Sequence, residues 1–465
     1  MAETLGKLCA PGFRIEGPGT EHVWTQRRIV GKGTLLQLSN ISRREGARAQ
    51  LTFAGTPGQV ALWDPTTGAS YALSPGADGT YRLDFAKTQT WLVTTGGASA
   101  QADLSRTYAP AAAEKKCIAV VSGPWKGRRL DPNVLTLDYA RYSLDGGKTF
   151  SQPEPIIGIH ARLRDKGYCG RLLLKFEINA REIPATCSLA VEQPFMYHSV
   201  TVNGTRVFFT EEYYCDDSFK TSSIDELVDR GRNEICLSLD YVAPKPNDLD
   251  PVKRYGTEIE SIYLTGDFGV RARASEHPLK TSQKNSLKVL EPKPVLSYSG
   301  FELDAETQTF DGNLTDAGYP FYAGSFELEN EFIVDTVENQ RRYFLSFPSF
   351  EATVIRVEIN GSPLPPLVFN PFEADITELL HEGVNSVKVT LTNSLRNMLG
   401  PHHHKGGELI AVGPLSFTGE TSWTSTDKGE ANWYDVRLTG EAGIWRDDYY
   451  MVPFGLLEAP QILIQ

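Results

Sequence analysis

One pattern in this chain is written twice. Val202-Asn203-Gly204 is followed by Ile224, Leu227, Val228, Gly231, Asn233, Ile235 and Leu237. Ile359-Asn360-Gly361 is followed by Ile376, Leu379, Leu380, Gly383, Asn385, Val387 and Val389. The later positions match at a constant offset of 152 residues (224 to 376, 231 to 383, 237 to 389), whereas the Asn-Gly pairs lie 157 apart (203 to 360). The intervening loop is therefore five residues shorter in the second copy. A unit recurring at this distance is a duplicated domain, not one turn of a solenoid.

Each part of the unit has a physical reading. An apolar strand running into Asn-Gly fits a tight hairpin whose turn needs positive φ. The Ile-x-x-Leu piece predicts one short helical turn with a buried face, and the Gly four residues later can close it in a left-handed conformation. The Asn beyond that Gly opens an alternating apolar strand. Elsewhere helical periodicity is scarce, and short alternating runs bounded by Gly, Pro, Asn and Asp recur, which is the all-β signature. The runs 35–40, 49–53, 60–63, 81–85 and 91–93 predict a small antiparallel β domain over 1–107, and 108–114 reads as a linker. The expected fold is all-β: that domain followed by two tandem jelly-roll β-sandwiches, 115–290 and 295–465.

Composition narrows the function. The chain of 465 residues has the length of about three domains. Its 46 Lys and Arg against 58 Asp and Glu give a net charge of −12. An acidic chain without a basic stripe is a poor binder of phosphate backbones, so neither nucleic acid nor an anionic membrane is expected as a partner. No run approaches 18 apolar residues, and residues 1–7 lack the apolar core of a signal peptide. The six cysteines, at 9, 117, 169, 187, 215 and 236, form no C-x-x-C pair. They read as reduced thiols, and the chain as cytoplasmic.

Asn-Gly, a short helical turn and Gly-x-Asn-x-Val-x-Val together resemble the galactose-binding-like jelly roll, as in the sugar-binding domain of glycoside hydrolase family 2. The C-terminal copy continues with Thr392-Asn393-Ser394-Leu395-Arg396-Asn397-Met398-Leu399-Gly400-Pro401-His402-His403-His404 and closes with Val452-Pro453-Phe454-Gly455-Leu456. These stretches resemble the end of large bacterial glycoside hydrolases, including ones related to the α-L-rhamnosidases. His22-Val23-Trp24-Thr25-Gln26-Arg27-Arg28 and Leu62-Trp63-Asp64-Pro65-Thr66-Thr67-Gly68 resemble the β segment that follows the catalytic barrel in those enzymes. The resemblance touches all three segments. It implies carbohydrate as ligand, polysaccharide degradation as context, and a catalytic glycoside hydrolase domain or chain as a partner. A barrel of that kind needs about 250 residues of alternating strands and helices, and β-type sequence begins here by about residue 30. The chain has no room for one.

Sugar sites combine an aromatic face for the C–H side of a pyranose with polar groups for its hydroxyls. Tyr319 and Tyr322, in the Pro-containing run Gly318-Tyr319-Pro320-Phe321-Tyr322, and Trp433 are the candidate stacking rings, with Trp445 and Tyr434 behind them. Arg396, Asn397, His402, His403 and His404 are the candidate hydroxyl partners. Only the C-terminal copy has this Arg-to-His stretch, so it reads as specialised, not as scaffold. The histidine triple lacks further ligands nearby, so no metal site is assigned to it. No cofactor is expected. Calcium is conceivable at the acidic loop Glu211-Glu212-Tyr213-Tyr214-Cys215-Asp216-Asp217, which offers hard oxygen ligands without EF-hand spacing. Adjacent acids such as Asp447-Asp448 point to opposite faces of a strand and make no catalytic pair. The stretch 138–147 reads as strand and turn without chemistry. The reading is a carbohydrate-recognising, non-catalytic C-terminal portion of a glycoside hydrolase that supports or completes the site of a barrel. A complete hydrolase with its site between the sandwiches and a structural or oligomerisation module are the alternatives.

Overall fold

A computed structural model describes residues 12–108, 115–245, 247–281, 294–400, 402–403, 407 and 445–465. Antiparallel strands dominate them, the longest helix is Ile156–Asp165, and the fold is all-β.

In the N-terminal domain a three-stranded sheet (Phe13–Glu16, Ala47–Phe53, Tyr81–Phe85) accompanies a five-stranded one (Val23–Val30, Gly33–Asn40, Thr90–Gly96, Val60–Trp63, Ser70–Ala72). Period-2 alternation decides what they enclose: Leu36 and Leu38 from one strand, Leu51, Leu62, Leu83 and Val93 from others, in one closed core. Every run expected to be a strand here is one.

Nine strands of each sandwich occupy matching places. In the first, one sheet runs Asn133–Leu137, Ile262–Asp267, Thr186–Glu192, Asp216–Ser223. Its other sheet runs Tyr139–Ser143, Cys169–Ala180, Gly231–Val242, Ser199–Val202, Thr205–Val207. In the second, the corresponding orders are Lys116–Val120, Gln461–Ile464, Tyr343–Ser346, Glu373–Asp375, and Trp125–Arg129, Ser325–Val334, Gly383–Thr392, Val354–Ile359, Ser362–Pro363. Two strands of the second sandwich, Lys116–Val120 and Trp125–Arg129, thus precede the whole of the first. The first sandwich is inserted into the second, and a division at 115–290 and 295–465 does not describe this. The exchange runs the other way too, since Leu296–Asp304 and Tyr449–Met451 extend the first sandwich's sheet. Hydrophobic pattern marks a strand as buried but does not say which sheet it joins.

The repeat is the same object in both copies. Asn203 and Gly204, and Asn360 and Gly361, all have positive φ, as a tight hairpin turn between right-twisted strands requires. Asn203 Nδ2 donates to Leu227 O (2.8 Å) and Asn233 Oδ1 (2.8 Å), and Asn360 Nδ2 donates to Leu379 O (2.8 Å) and Asn385 Oδ1 (2.9 Å). Asn233 Nδ2 in turn donates to Asp229 O and Gly231 O, and Asn385 Nδ2 to His381 O and Gly383 O. The paired asparagines clip the hairpin to the short turn and to the start of the long central strand.

Candidate functional site: a buried junction and an open cleft

Asp138 lies just past the Asn133–Leu137 strand of the inserted sandwich. Every residue of that strand is buried, with Val134, Leu135 and Leu137 in that sandwich's core, while Thr136 and Asp138 bond across to the second sandwich. Thr136 Oγ1 donates to Met398 O (2.8 Å) in the Arg396–Leu399 helical turn of the second sandwich. His402 and His403 follow that turn and close on Asp138, their burial nearly complete. His403 Nε2 is 2.9 Å from Asp138 Oδ2, and His402 Nδ1 is 3.8 Å from the same oxygen. Tyr449 Oη donates to Asp138 Oδ1 (2.6 Å). Burial works to raise the Asp138 pKa, but the two adjoining imidazoles overcome it and hold the carboxyl below its usual range. Burial pushes the His402 ring down.

Those of the expected sugar contacts that are among the described residues fall at this junction or in the core beneath it. Tyr319 and Tyr322 lie in a loop, as expected, but their rings turn inward into the second core. Tyr319 Oη donates to Glu306 Oε1 (3.1 Å) and Tyr322 Oη to Ser325 O (2.6 Å). A ring closed off from solvent cannot stack on a sugar. The run is rich in apolar surface and sits between two cores, Phe321 joining the first and its neighbours the second. Asn397 is likewise buried, exchanging two hydrogen bonds with the Val452 backbone (2.7 and 3.0 Å). Arg396 is half-buried in the same turn. Trp445 stacks on the His403 ring, centroids 4.5 Å apart and 20° between planes. His404, Trp433 and Tyr434 lie outside the described residues. Asp138, Tyr139 and Tyr449 were not singled out from sequence. Asp138 sits in the stretch read as without chemistry, and no local signal links it to histidines more than 260 positions later.

The acidic loop is already engaged: Lys220 pairs with Glu211 (3.2 Å) and Asp217 (2.9 Å), and Asp216 accepts from the Ser218 N–H (2.8 Å). Glu260, on the inserted sandwich, is pushed up to about 7, first by desolvation of its carboxyl and then by the charges of Glu192 and Glu258.

The open surface offers a different site. A cleft of about 1060 Å³ separates the N-terminal domain from the second sandwich. Tyr71, Trp91, Tyr108, Asp64, Gln89 and Arg106 line one wall, and Arg342, Phe344, Phe369, Asn370 and Asp375 the other. Asn370 Nδ2 donates to Thr88 Oγ1 (2.6 Å) across it. Phe369 is 58% exposed.

No family model and no curated protein matches the chain. Among solved structures it is similar to a rhamnosidase from Novosphingobium sp. PP1Y, at 12% identity and a TM-score of 0.39, over 100% of this chain and 26% of that one. It is also similar to a Streptomyces avermitilis α-L-rhamnosidase complexed with L-rhamnose (12% identity, TM-score 0.26, 86% of this chain and 37% of that one). A third similarity is to a β-D-mannosidase from Dictyoglomus thermophilum (12%, TM-score 0.23, 56% and 31%). The chain spans only 26 to 37% of the length of these three structures.

Proposed function

We propose that this chain is a carbohydrate-recognising, non-catalytic part of a glycoside hydrolase, and that the cleft between its N-terminal domain and its second sandwich takes the sugar. The observation that carries the reading is the cleft itself. It joins an exposed phenyl ring to guanidinium, carboxylate and amide groups on facing walls, the mixture that covers the apolar face of a pyranose while holding its hydroxyls. Arg106 and Asp64 line one wall, and Arg342, paired with Asp375 at 2.7 Å, lines the other.

A further surface supports a partner domain. The edge strand Val23–Val30 is exposed along nearly its whole length, with Trp24 68% and Ile29 78% accessible. A long bare edge with large apolar side chains is usually covered in a finished assembly. A catalytic domain packed on it fits the expected role of supporting or completing a barrel's site.

The test is titration of the chain with neutral oligosaccharides, comparing wild type with Phe369→Ala and Arg106→Ala. Each truncation is expected to weaken binding roughly five- to 150-fold, equivalent to about 1 to 3 kcal/mol, with the melting temperature unchanged. Binding that neither variant alters, or no binding at all, removes the cleft from consideration, and the second result favours a structural module. Turnover of aryl glycosides by this polypeptide alone, abolished by changing one Asp or Glu, would establish a complete hydrolase instead.

A further inference from the structure

Three donor atoms converge where the two sandwiches meet. His402 Nδ1, His403 Nε2 and a carboxylate oxygen of Asp138 all lie within 4.8 Å of one another, on residues each less than a tenth exposed. What sets them apart from an ordinary buried hydrogen-bond cluster is the other end of each side chain. His402 donates its Nε2–H to Asn397 O at 2.7 Å. His403 donates its Nδ1–H to Arg446 O and Asp448 O, both at 3.0 Å. Asp138 Oδ1 accepts from Tyr449 Oη at 2.6 Å. A carbonyl can only accept, so these contacts fix which nitrogen of each ring carries hydrogen. In both neutral rings the nitrogen turned inward is then the bare one, presenting its lone pair to the centre.

That arrangement is poorly satisfied by protein atoms alone. Two ring lone pairs would face a carboxylate, three acceptors around one point. Protonating His403 makes a single hydrogen bond to Asp138, at 2.9 Å. His402 Nδ1, at 3.8 Å, stays beyond hydrogen-bond reach of that carboxylate. Protonating both rings would add two buried positive charges beside Arg396, whose charge already bears on His402. A divalent cation resolves the conflict by accepting all three lone pairs. The outward contacts are those that metal-binding histidines and carboxylates make to their surroundings, and they fix ring orientation and tautomer.

We infer that Asp138, His402 and His403 form a binding site for a divalent transition-metal cation of the zinc class, joining the inserted sandwich to the second one. Two imidazoles and one carboxylate select this class. Calcium and magnesium demand oxygen ligands throughout, whereas zinc takes nitrogen and oxygen at about 2.0 to 2.2 Å. The ring nitrogens lie 2.9 and 3.8 Å from Asp138 Oδ2 and within 4.8 Å of each other, and they must come within about 4 Å of each other for both to bond one ion. Asp138 comes from one sandwich and the histidines from the exit of the other, so the ion acts as a cross-link. Arg396 opposes the added charge and moderates the affinity.

The experiment uses the full chain, its thiols first alkylated so that cysteine cannot hold metal, stripped with a chelator and titrated with Zn²⁺ and with Co²⁺. One equivalent of zinc per chain is expected, with a melting temperature that rises with free zinc. Cobalt should give the visible absorption of a four- or five-coordinate nitrogen–oxygen site. Asp138→Asn and His402→Gln should each lose the cobalt spectrum and the stoichiometric zinc. Tyr449→Phe keeps all three ligands and tests the surroundings, with affinity falling about 10- to 100-fold. Should a ligand variant fail to fold, the Tyr449→Phe shift decides. Failure of the wild type to bind zinc or cobalt at micromolar free metal overturns the assignment, as does stoichiometric binding that all three variants leave untouched. The cluster is then a hydrogen-bonded lock without an ion.

Discussion

At the scale of single residues, the two repeat asparagines show how one side chain can hold three segments together. Asn233 and Asn385 are almost fully buried, and each donates to two backbone carbonyls and accepts from the partner asparagine and from a backbone N–H. Replacing either by Ala leaves buried carbonyls and an amide without partners, at about 1 to 3 kcal/mol for an unsatisfied group. Asn385→Ala and Asn233→Ala are each expected to lower the urea midpoint by such an amount or more, with little change in the slope. His160 gives a second prediction. Burial, then the Arg164 charge, lower its pKa from 6.5 to about 4. Between those values the unfolded chain binds the proton and the folded chain does not. The stability due to a neutral His160 is therefore complete above pH 6.5 and is lost as pH falls towards 4. At about 1.4 kcal/mol per unit the loss is at most about 3 kcal/mol. Melting curves over this range should show His160→Gln less acid-sensitive than wild type, and parallel curves would refute it.

At the scale of elements, the strand that closes the second sandwich comes from the far end of the chain. Gln461–Ile464 lies between Lys116–Val120 and Tyr343–Ser346, and Ile462 is completely enclosed. Ile462→Ala removes three carbons from a packed site and should cost about 2 to 5 kcal/mol, read as a shift in denaturation midpoint. The duplicated hairpin, the short turn and the long strand after Gly-x-Asn were all legible in sequence, because φ > 0 at Asn-Gly and alternation in the strand are local requirements. The inward turn of Tyr319 and Tyr322 was not legible. A loop rich in aromatics and Pro looks the same whether its rings meet solvent or a neighbouring core.

At the scale of the whole molecule, nesting couples the two sandwiches. Phe321, Met398 and Met451 complete the core of the inserted sandwich although they lie beyond it in the chain, while among the described residues the N-terminal core draws on 13–108 alone. Calorimetry of a polypeptide spanning 115–465 should therefore show one cooperative transition, and residues 1–108 should melt independently. Separate transitions for the two sandwiches would contradict the shared packing. By itself the sequence determined the all-β class, the duplication and the turns at which it repeats, since these follow from hydrophobic period and backbone conformation over a few neighbouring residues. Only the tertiary structure decided that one sandwich sits inside the other, that the cleft lies beside the N-terminal domain, and that Asp138 meets His402 and His403. Those outcomes depend on contacts between residues hundreds of positions apart, chosen by packing and by the need to partner buried polar groups.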